Sequence, residues 1–485
     1  MKKITLLLKI NAVAFLSILL VACSGQTAED GDNKLAMSAF LNGNEEVIAF
    51  GATKLKDVLE KSDYKSIPNF GEIIEGELSS WNSLLDLDAP VYYALEGPLD
   101  RDGAPTAIYA FVKVKSPDSL ESELVHRGYE IEKHGEINIF QDEDVAVGFK
   151  GHMAILLAQG GDVDHVKLIK DAFSASEGEV SEGTVSEILD TEGDIVFAMN
   201  IENIYATSDT DLADLSKDKQ DELKEMVAGS YVQTSFKFEN GAAIIETKNL
   251  FSDALMERMF INEDPGATMI ATLGHGEPRL GISVNIDLKK MQSFVDEFSP
   301  NALDELTNAM GPAASMAMMT AGADGLSGIF TGKFGLVMFG DLDSYGGAQP
   351  DFNFFVGLTS SGASLGKMAK EFLGGEMALM TLDSDGLSAS TNASYASSGR
   401  MDLPAGCENF GKTGISGFFS FDGIDIDDLD LDDEANFLRI VDYVTFEYGN
   451  EGGRIYIKAK KGQENVLKQI MTVAVEELAS GMGGF

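Results

Sequence analysis

Tyr231 to Gly241 reads YVQTSFKFENG, and Tyr443 to Gly453 reads YVTFEYGNEGG. Each is an alternating run that closes on Asn-Gly or Gly-Gly and resumes as a second run. The second run is Ala243 to Lys248 (AIIETK) in one case and Arg454 to Lys460 (RIYIKAK) in the other. Period-two alternation across such a turn predicts a β-hairpin, because these residues tolerate the positive φ that tight hairpin turns need. Both hairpins lead into helical spacing. Leu255, Met259 and Phe260 mark it in 252–260; Val466, Leu467, Ile470, Met471 and Val475 mark it in 464–478. A hairpin followed by a helix therefore occurs twice, and this repetition decides the fold class.

Four further pairs of segments follow in the same order. Val47 to Phe50, leading to Leu55, Val58 and Leu59, matches Ile282 to Asn285, leading to Leu288, Met291 and Phe294. Val91 to Ala94 matches Leu336 to Phe339. Ala107 to Val114, then Ser116-Pro117 and a helix through Leu120 and Leu124, matches Phe352 to Leu358 and then Ser364 to Leu373. Ile195 to Met199 matches Ile415 to Phe421. The expectation is an α+β fold: two internally repeated lobes of antiparallel or mixed sheet with helices packed on one face. The lobes are expected at 35–262 and 263–485, joined at Asn262 to Ala267 (NEDPGA). A strand-rich insert, Tyr129 to Gln159, is shortened in the second lobe. Glu177 to Glu187 and Asp209 to Glu222 are acidic and read as loop or exposed helix.

Composition is that of a globular chain: 485 residues, of which 44% are hydrophobic, enough for more than one core. Lys and Arg number 36 against 79 Asp and Glu, a net charge of −43. That field repels nucleic acid and anionic membrane surface, so neither is expected as a major partner.

The N-terminus begins with Lys2, Lys3 and Lys9, followed by an apolar run from Ile10 to Leu20 broken only by Asn11 and Ser17. This is the shape of a secretory signal, too short to span a bilayer. Its end, Leu20-Val21-Ala22-Cys23, resembles the bacterial lipobox. The resemblance implies that residues 1–22 are removed and that Cys23 is acylated and becomes the first mature residue. Residues 23–34, with SGQTAEDGDNK after the cysteine, read as an acidic flexible tether. Ser24 is not the aspartate of an inner-membrane retention signal, and Gln26, Glu29 and Asp30 loosely resemble a surface-export tag. The expected location is the cell envelope, anchored by the N-terminal lipid to the outer membrane. With Cys23 modified, Cys407 has no disulfide partner and reads as a buried thiol. Lipobox, acidic tether and repeated hairpin-helix units together resemble an uncharacterised lipoprotein family of Gram-negative bacteria, known as a domain of unknown function. The resemblance supplies no catalytic residue.

Motifs that could carry chemistry fail on their partners. Gly362 to Gly366 (GASLG) fits a nucleophile elbow around Ser364, but the last histidine, His275, precedes it, against the order such a triad requires. Ser364 to Lys367 and Lys412-Thr413-Gly414 resemble two signature pieces of penicillin-binding enzymes without the middle element. His126, His134, His152, His165 and His275 make no zinc motif. Asp422 to Glu434 (DGIDIDDLDLDDE) is the densest acidic stretch, and Asp425, Asp427, Asp428 and Asp430 are weak calcium candidates. The stretch lacks the internal glycine of a calcium loop, so no metal is assigned. Met310, Met316, Met318 and Met319 suggest a core or the wall of an apolar cleft. No cofactor is expected. The reading is a non-enzymatic binding or structural component of the envelope, its partner an envelope protein or a small apolar ligand. The alternatives are an envelope hydrolase built on scattered carboxylates and a carrier of an apolar ligand.

Overall fold

The computed structural model describes residues 31–67, 70–99, 104–142, 145–159, 163–180, 183–207, 215–262, 267–298, 325–340, 351–375, 377–396, 401–407, 409–422, 424 and 433–482. The chain divides into two compact units. The first holds 1–212, 227–250 and 463–485; the second holds 213–226 and 251–462.

Among the described residues, ten strands make the sheet of the first unit: β1 (Val47–Thr53), β2 (Val91–Glu96), β3 (Ala107–Lys113), β4 (Glu132–His134), β5 (Ile137–Asp142), β6 (Val145–Lys150), β7 (Met153–Ala158), β8 (Ile195–Asn200), β9 (Tyr231–Glu239) and β10 (Ala242–Leu250). Their order is β10-β9-β8-β1-β2-β3-β7-β6-β5-β4, every pairing antiparallel. The main helices are α1 (Gly31–Gly43), which takes in residues 31–34 that the sequence placed in the tether, α2 (Leu55–Ser62), α3 (Phe70–Asn82), α4 (Pro117–His126) and α5 (His165–Ser176). Ser116 starts α4 by accepting the Ser119 N–H, with Pro117 in the first turn; Asp164 starts α5 by accepting the Lys167 N–H.

The strands show why helices cover both faces of this sheet, not the one face expected. β1 (VIAFGAT) is buried along its whole length, and β3 (AIYAFVK) has no polar alternation. Tyr109 and Phe111 of β3 pack on Phe40 of α1, with ring centroids 5.0 and 5.2 Å apart, in a cluster shared with Ile169 and Phe173 of α5. Ala110 and Val112, pointing the other way, pack with Leu120 and Leu124 of α4. Tyr93 also crosses β1 to donate to the Val196 carbonyl at 2.8 Å. Gly51 permits this, since a side chain there would collide with the Tyr93 hydroxyl.

The second unit contains β11 (Pro278–Asn285), β12 (Phe330–Phe339), β13 (Asp351–Leu358), β14 (Leu379–Leu382), β15 (Gly386–Ser390), β16 (Ile415–Ser420), β17 (Val441–Gly449) and β18 (Gly452–Ala459). Their order is β18-β17-β16-β11-β12-β13-β15-β14, again antiparallel. Its helices include α6 (Asp253–Arg258), α7 (Leu288–Phe298) and α8 (Ala363–Leu373). Val337, Phe339, Phe355, Phe410 and Phe418 form one core cluster with the buried Cys407. Leu358, Met380, Leu387 and Ala389 form another, against Leu365 and Ala369 of α8. Counted from the hairpin, the five paired sequence segments occupy the second to sixth positions in both sheets.

The last helix, α9 (Val466–Met482), follows β18 in the chain yet belongs to the first unit. There Leu467 packs with Leu55 and Val58 of α2. Conversely, α6 follows β10 and belongs to the second unit, where Arg258 pairs with Glu297 of α7 at 2.8 Å. The chain therefore passes between units near 212, 226, 250 and 462, where the sequence suggested one junction at 262/263. Helical periodicity shows that a helix has an apolar face; it does not say which sheet receives it. A smaller difference lies at 177–187. Thr184–Leu189 is a helix that buries Val185, Ile188 and Leu189, where the acidic residues pointed to loop or an exposed helix.

Candidate functional site

A cleft of about 610 Å³ lies in the first unit. It is built by α2, the turn after it, α3 and the segment around Leu87 and Asp88. α2 stops at Asp63, which takes the left-handed conformation at φ 45°. Aspartate tolerates this better than most residues. The chain then turns through Tyr64 to Ser66 into α3. Leu59, Leu78 and Leu87 give the lining an apolar component. Ion pairs surround it: Lys56 to Asp88 at 2.5 Å, Lys65 to Glu75 at 2.6 Å, and Lys468 of α9 to Asp63 at 2.7 Å. Asp88 raises the pKa of Lys56 and Glu75 raises that of Lys65, while the Lys468 ammonium lowers that of Asp63. The lining includes no histidine or cysteine. Ser79 donates to the Gly76 carbonyl at 2.9 Å, inside its own helix. Such a cleft can hold a ligand with an apolar body and polar ends.

Two buried carboxylates were not singled out in the sequence, because a lone acid in or beside an apolar strand has no pattern to betray it. Asp194 is 5% exposed and is held by Lys61 and by the Phe238 N–H. Glu96, at the end of β2, accepts hydrogen bonds from the Asn44 amide and from the Tyr109 hydroxyl, the latter at 3.4 Å. Burial is the main cause that raises the Glu96 pKa, and the two donors only partly oppose it. Burial, followed by the neighbouring Glu96 charge, raises the Tyr109 phenol as well. The folded carboxyl thus ionises less readily than the unfolded one, so ionisation works against folding at neutral pH. That penalty disappears as pH falls through the raised folded value. Glu96→Gln is expected to stabilise the chain by about 1 kcal/mol at pH 7.5. The gain should shrink towards zero at acid pH, as read by urea unfolding at both conditions.

The sequence motifs are not brought together. Ser364 lies exposed in the first turn of α8 after β13, and its hydroxyl donates to the Ser361 carbonyl at 3.1 Å. The one histidine in the second unit is His275. α8 packs in the cluster of Leu358 and Met380, whereas Lys412 follows Phe410, a member of the other cluster. His134 contacts Glu132, His152 contacts the Val114 carbonyl, and His165 contacts the Gln159 carbonyl, as local structural partners. Among the described residues, no group of three or more His, Cys, Asp or Glu is placed to hold a metal ion. Asp383 accepts from the N–H groups of Asp385 and Gly386, forming a turn. Cys23, the calcium candidates Asp425, Asp427, Asp428 and Asp430, and Met310 to Met319 lie outside the described residues. Among the described residues no helix is long and apolar enough to cross a membrane.

No protein-family model and no curated protein matches this chain. Three solved structures of TP0453 are similar to it. Crystal form I shares 9% identity at a TM-score of 0.28, covering 46% of this chain and 80% of TP0453. Form III shares 10% at 0.27, covering 48% and 80%, and form IV shares 8% at 0.26, covering 42% and 76%.

Proposed function

We propose that the protein is a lipid-anchored lipoprotein of the cell envelope, held at the outer membrane through Cys23, with a binding or structural role and no catalysis. The observation that carries this is Leu20-Val21-Ala22-Cys23 at the end of a basic-then-apolar leader. Ser24, in place of an aspartate, favours the outer membrane over retention at the inner one. The body beyond the tether is read as one α+β unit used twice. The matching strand orders support that reading, and so do the five paired segments at the same ordinal positions. The binding role is supported by the cleft beside α2, whose lining couples apolar residues to ion pairs.

A Cys23→Ser variant tests the anchor. The parent should sediment with envelopes and partition into detergent. The variant should keep its leader, lose incorporation of a fatty-acid label, and fail to partition as the parent does. A variant processed, labelled and fractionated like the parent would overturn the proposal.

A further inference from the structure

Residues 377–382 (MALMTL) carry no charge and end in β14. Among the described residues β14 pairs with β15 and with no other strand. The corresponding place in the first unit is closed. There β6 pairs with β7 on one side and with β5 on the other, and β4 lies beyond β5. These two extra strands sit between α4 and β6 in the chain, whereas the second unit passes from α8 to β14 with no strand between. The expected insert is thus confined to β4 and β5, since β6 and β7 have counterparts in the order of the second sheet.

The free edges of the two sheets differ in chemistry. β4 is Glu132, Lys133 and His134, with the first two exposed. Charges of this kind keep an edge from pairing with other chains. β14 instead exposes Leu379 at 47%, and the adjoining α8 exposes Met368 at 61% and Phe372 at 88%. Inward-facing Leu120 and Leu124 of α4 align with Leu365 and Ala369 of α8. On that alignment the counterparts of Met368 and Phe372 are Glu123 and Arg127, an ion pair at 2.8 Å. A chain with 79 carboxylates carries none between Glu376 and Asp383.

We propose that the β14 edge is a docking site for an extended strand of a partner protein, added where β5 sits in the first unit. β5 shows the chemistry of the occupant. Ile139 is buried towards one face of the sheet, and Phe140 packs with the α4 cluster on the other. The partner strand accordingly presents an apolar residue to each face and no charge at its centre. Main-chain hydrogen bonds supply affinity, and the apolar surroundings of Leu379 and Phe372 supply selectivity. This rests on the binding role proposed above and is independent of the lipid at Cys23.

The test uses the full mature chain and a synthetic peptide of residues 131–142 (IEKHGEINIFQD), which spans β4 and β5. At saturating peptide, hydrogen exchange at 379–382 should slow about tenfold, with 145–150 unchanged. Leu379→Lys with Thr381→Lys should abolish the slowing. Both positions are exposed, so the fold should survive, and the unfolding midpoint checks this. Should the double variant unfold, Thr381→Lys alone takes its place. No slowing with the parent, or slowing that persists in the lysine variant, would overturn the proposal. A dimer of the parent that the lysine variant dissolves would make a second copy the occupant and overturn the partner strand. The intact mass of the same preparation reports acylation at Cys23 separately.

Discussion

Deleting residues 463–485 is expected to unfold the first unit and leave the second folded. α9 brings Leu467, 4% exposed, onto Leu55 and Val58 of α2, and buries Val466 to 1% exposure. Just ahead of it, the Glu464 carbonyl accepts from the Gly241 N–H at 2.8 Å, and the Asn465 amide donates to the Phe238 carbonyl at 3.1 Å. Lys468 completes the attachment at Asp63. Burying an aliphatic side chain contributes about 1.5–3 kcal/mol, so two such residues with their hydrogen bonds amount to roughly 5 kcal/mol. Domains are stable by only about 5–15 kcal/mol in total. Trp81, the single tryptophan, lies in α3 and reports on the first unit by fluorescence. The truncated chain should lose most of that signal's cooperative urea transition, while slow hydrogen exchange persists in 278–285 and 330–339. Protection lost in the second unit, with the Trp81 transition intact, would show that α9 has been assigned to the wrong body.

The second large effect is expected at Asp194. Both of its carboxylate oxygens face the Lys61 ammonium, at 2.6 and 2.7 Å, and one also accepts the Phe238 N–H at 2.7 Å. Alanine here would remove the Lys61 counter-charge and leave a backbone donor of β9 without its acceptor. Breaking a buried pair in this way costs about 3 kcal/mol, a hundredfold or more in the folded population. Asp194→Asn keeps an acceptor for Phe238 and should cost about half as much. Urea unfolding followed at Trp81 separates the two variants. Equal stability of the alanine variant and the parent would contradict the role given to this carboxylate.

What could be read from the sequence was local. The Asn-Gly turn at Asn240-Gly241 marked the first hairpin, with Tyr231 against Leu250. The second hairpin was also legible, with Tyr443 against Lys458, but it turns at Asn450-Glu451, and Gly452 and Gly453 already pair within β18. Leu55 and Val58 marked α2 because helical spacing is visible in eight residues. The exchange of α6 and α9 was not legible, since an apolar stripe fits any apolar surface. Burial of both sheet faces could have been inferred from the unbroken apolar run of β1, but hairpin connections suggested a half-solvated sheet instead. Glu96 and Asp194 were hidden for a different reason. Their significance comes from Asn44, Tyr109, Lys61 and Phe238, all brought in from other segments of the chain. The open edge at β14 needed the first sheet as its reference, and a strand order exists only once the chain has folded.

The proposed anchor is tested most directly by the mass of the N-terminal fragment of the chain purified from its own cells. The account predicts a fragment beginning at Cys23 and heavier than its sequence by the mass of attached fatty acyl groups. A fragment beginning at Met1, or one cut before Cys23 with no added mass, would contradict it.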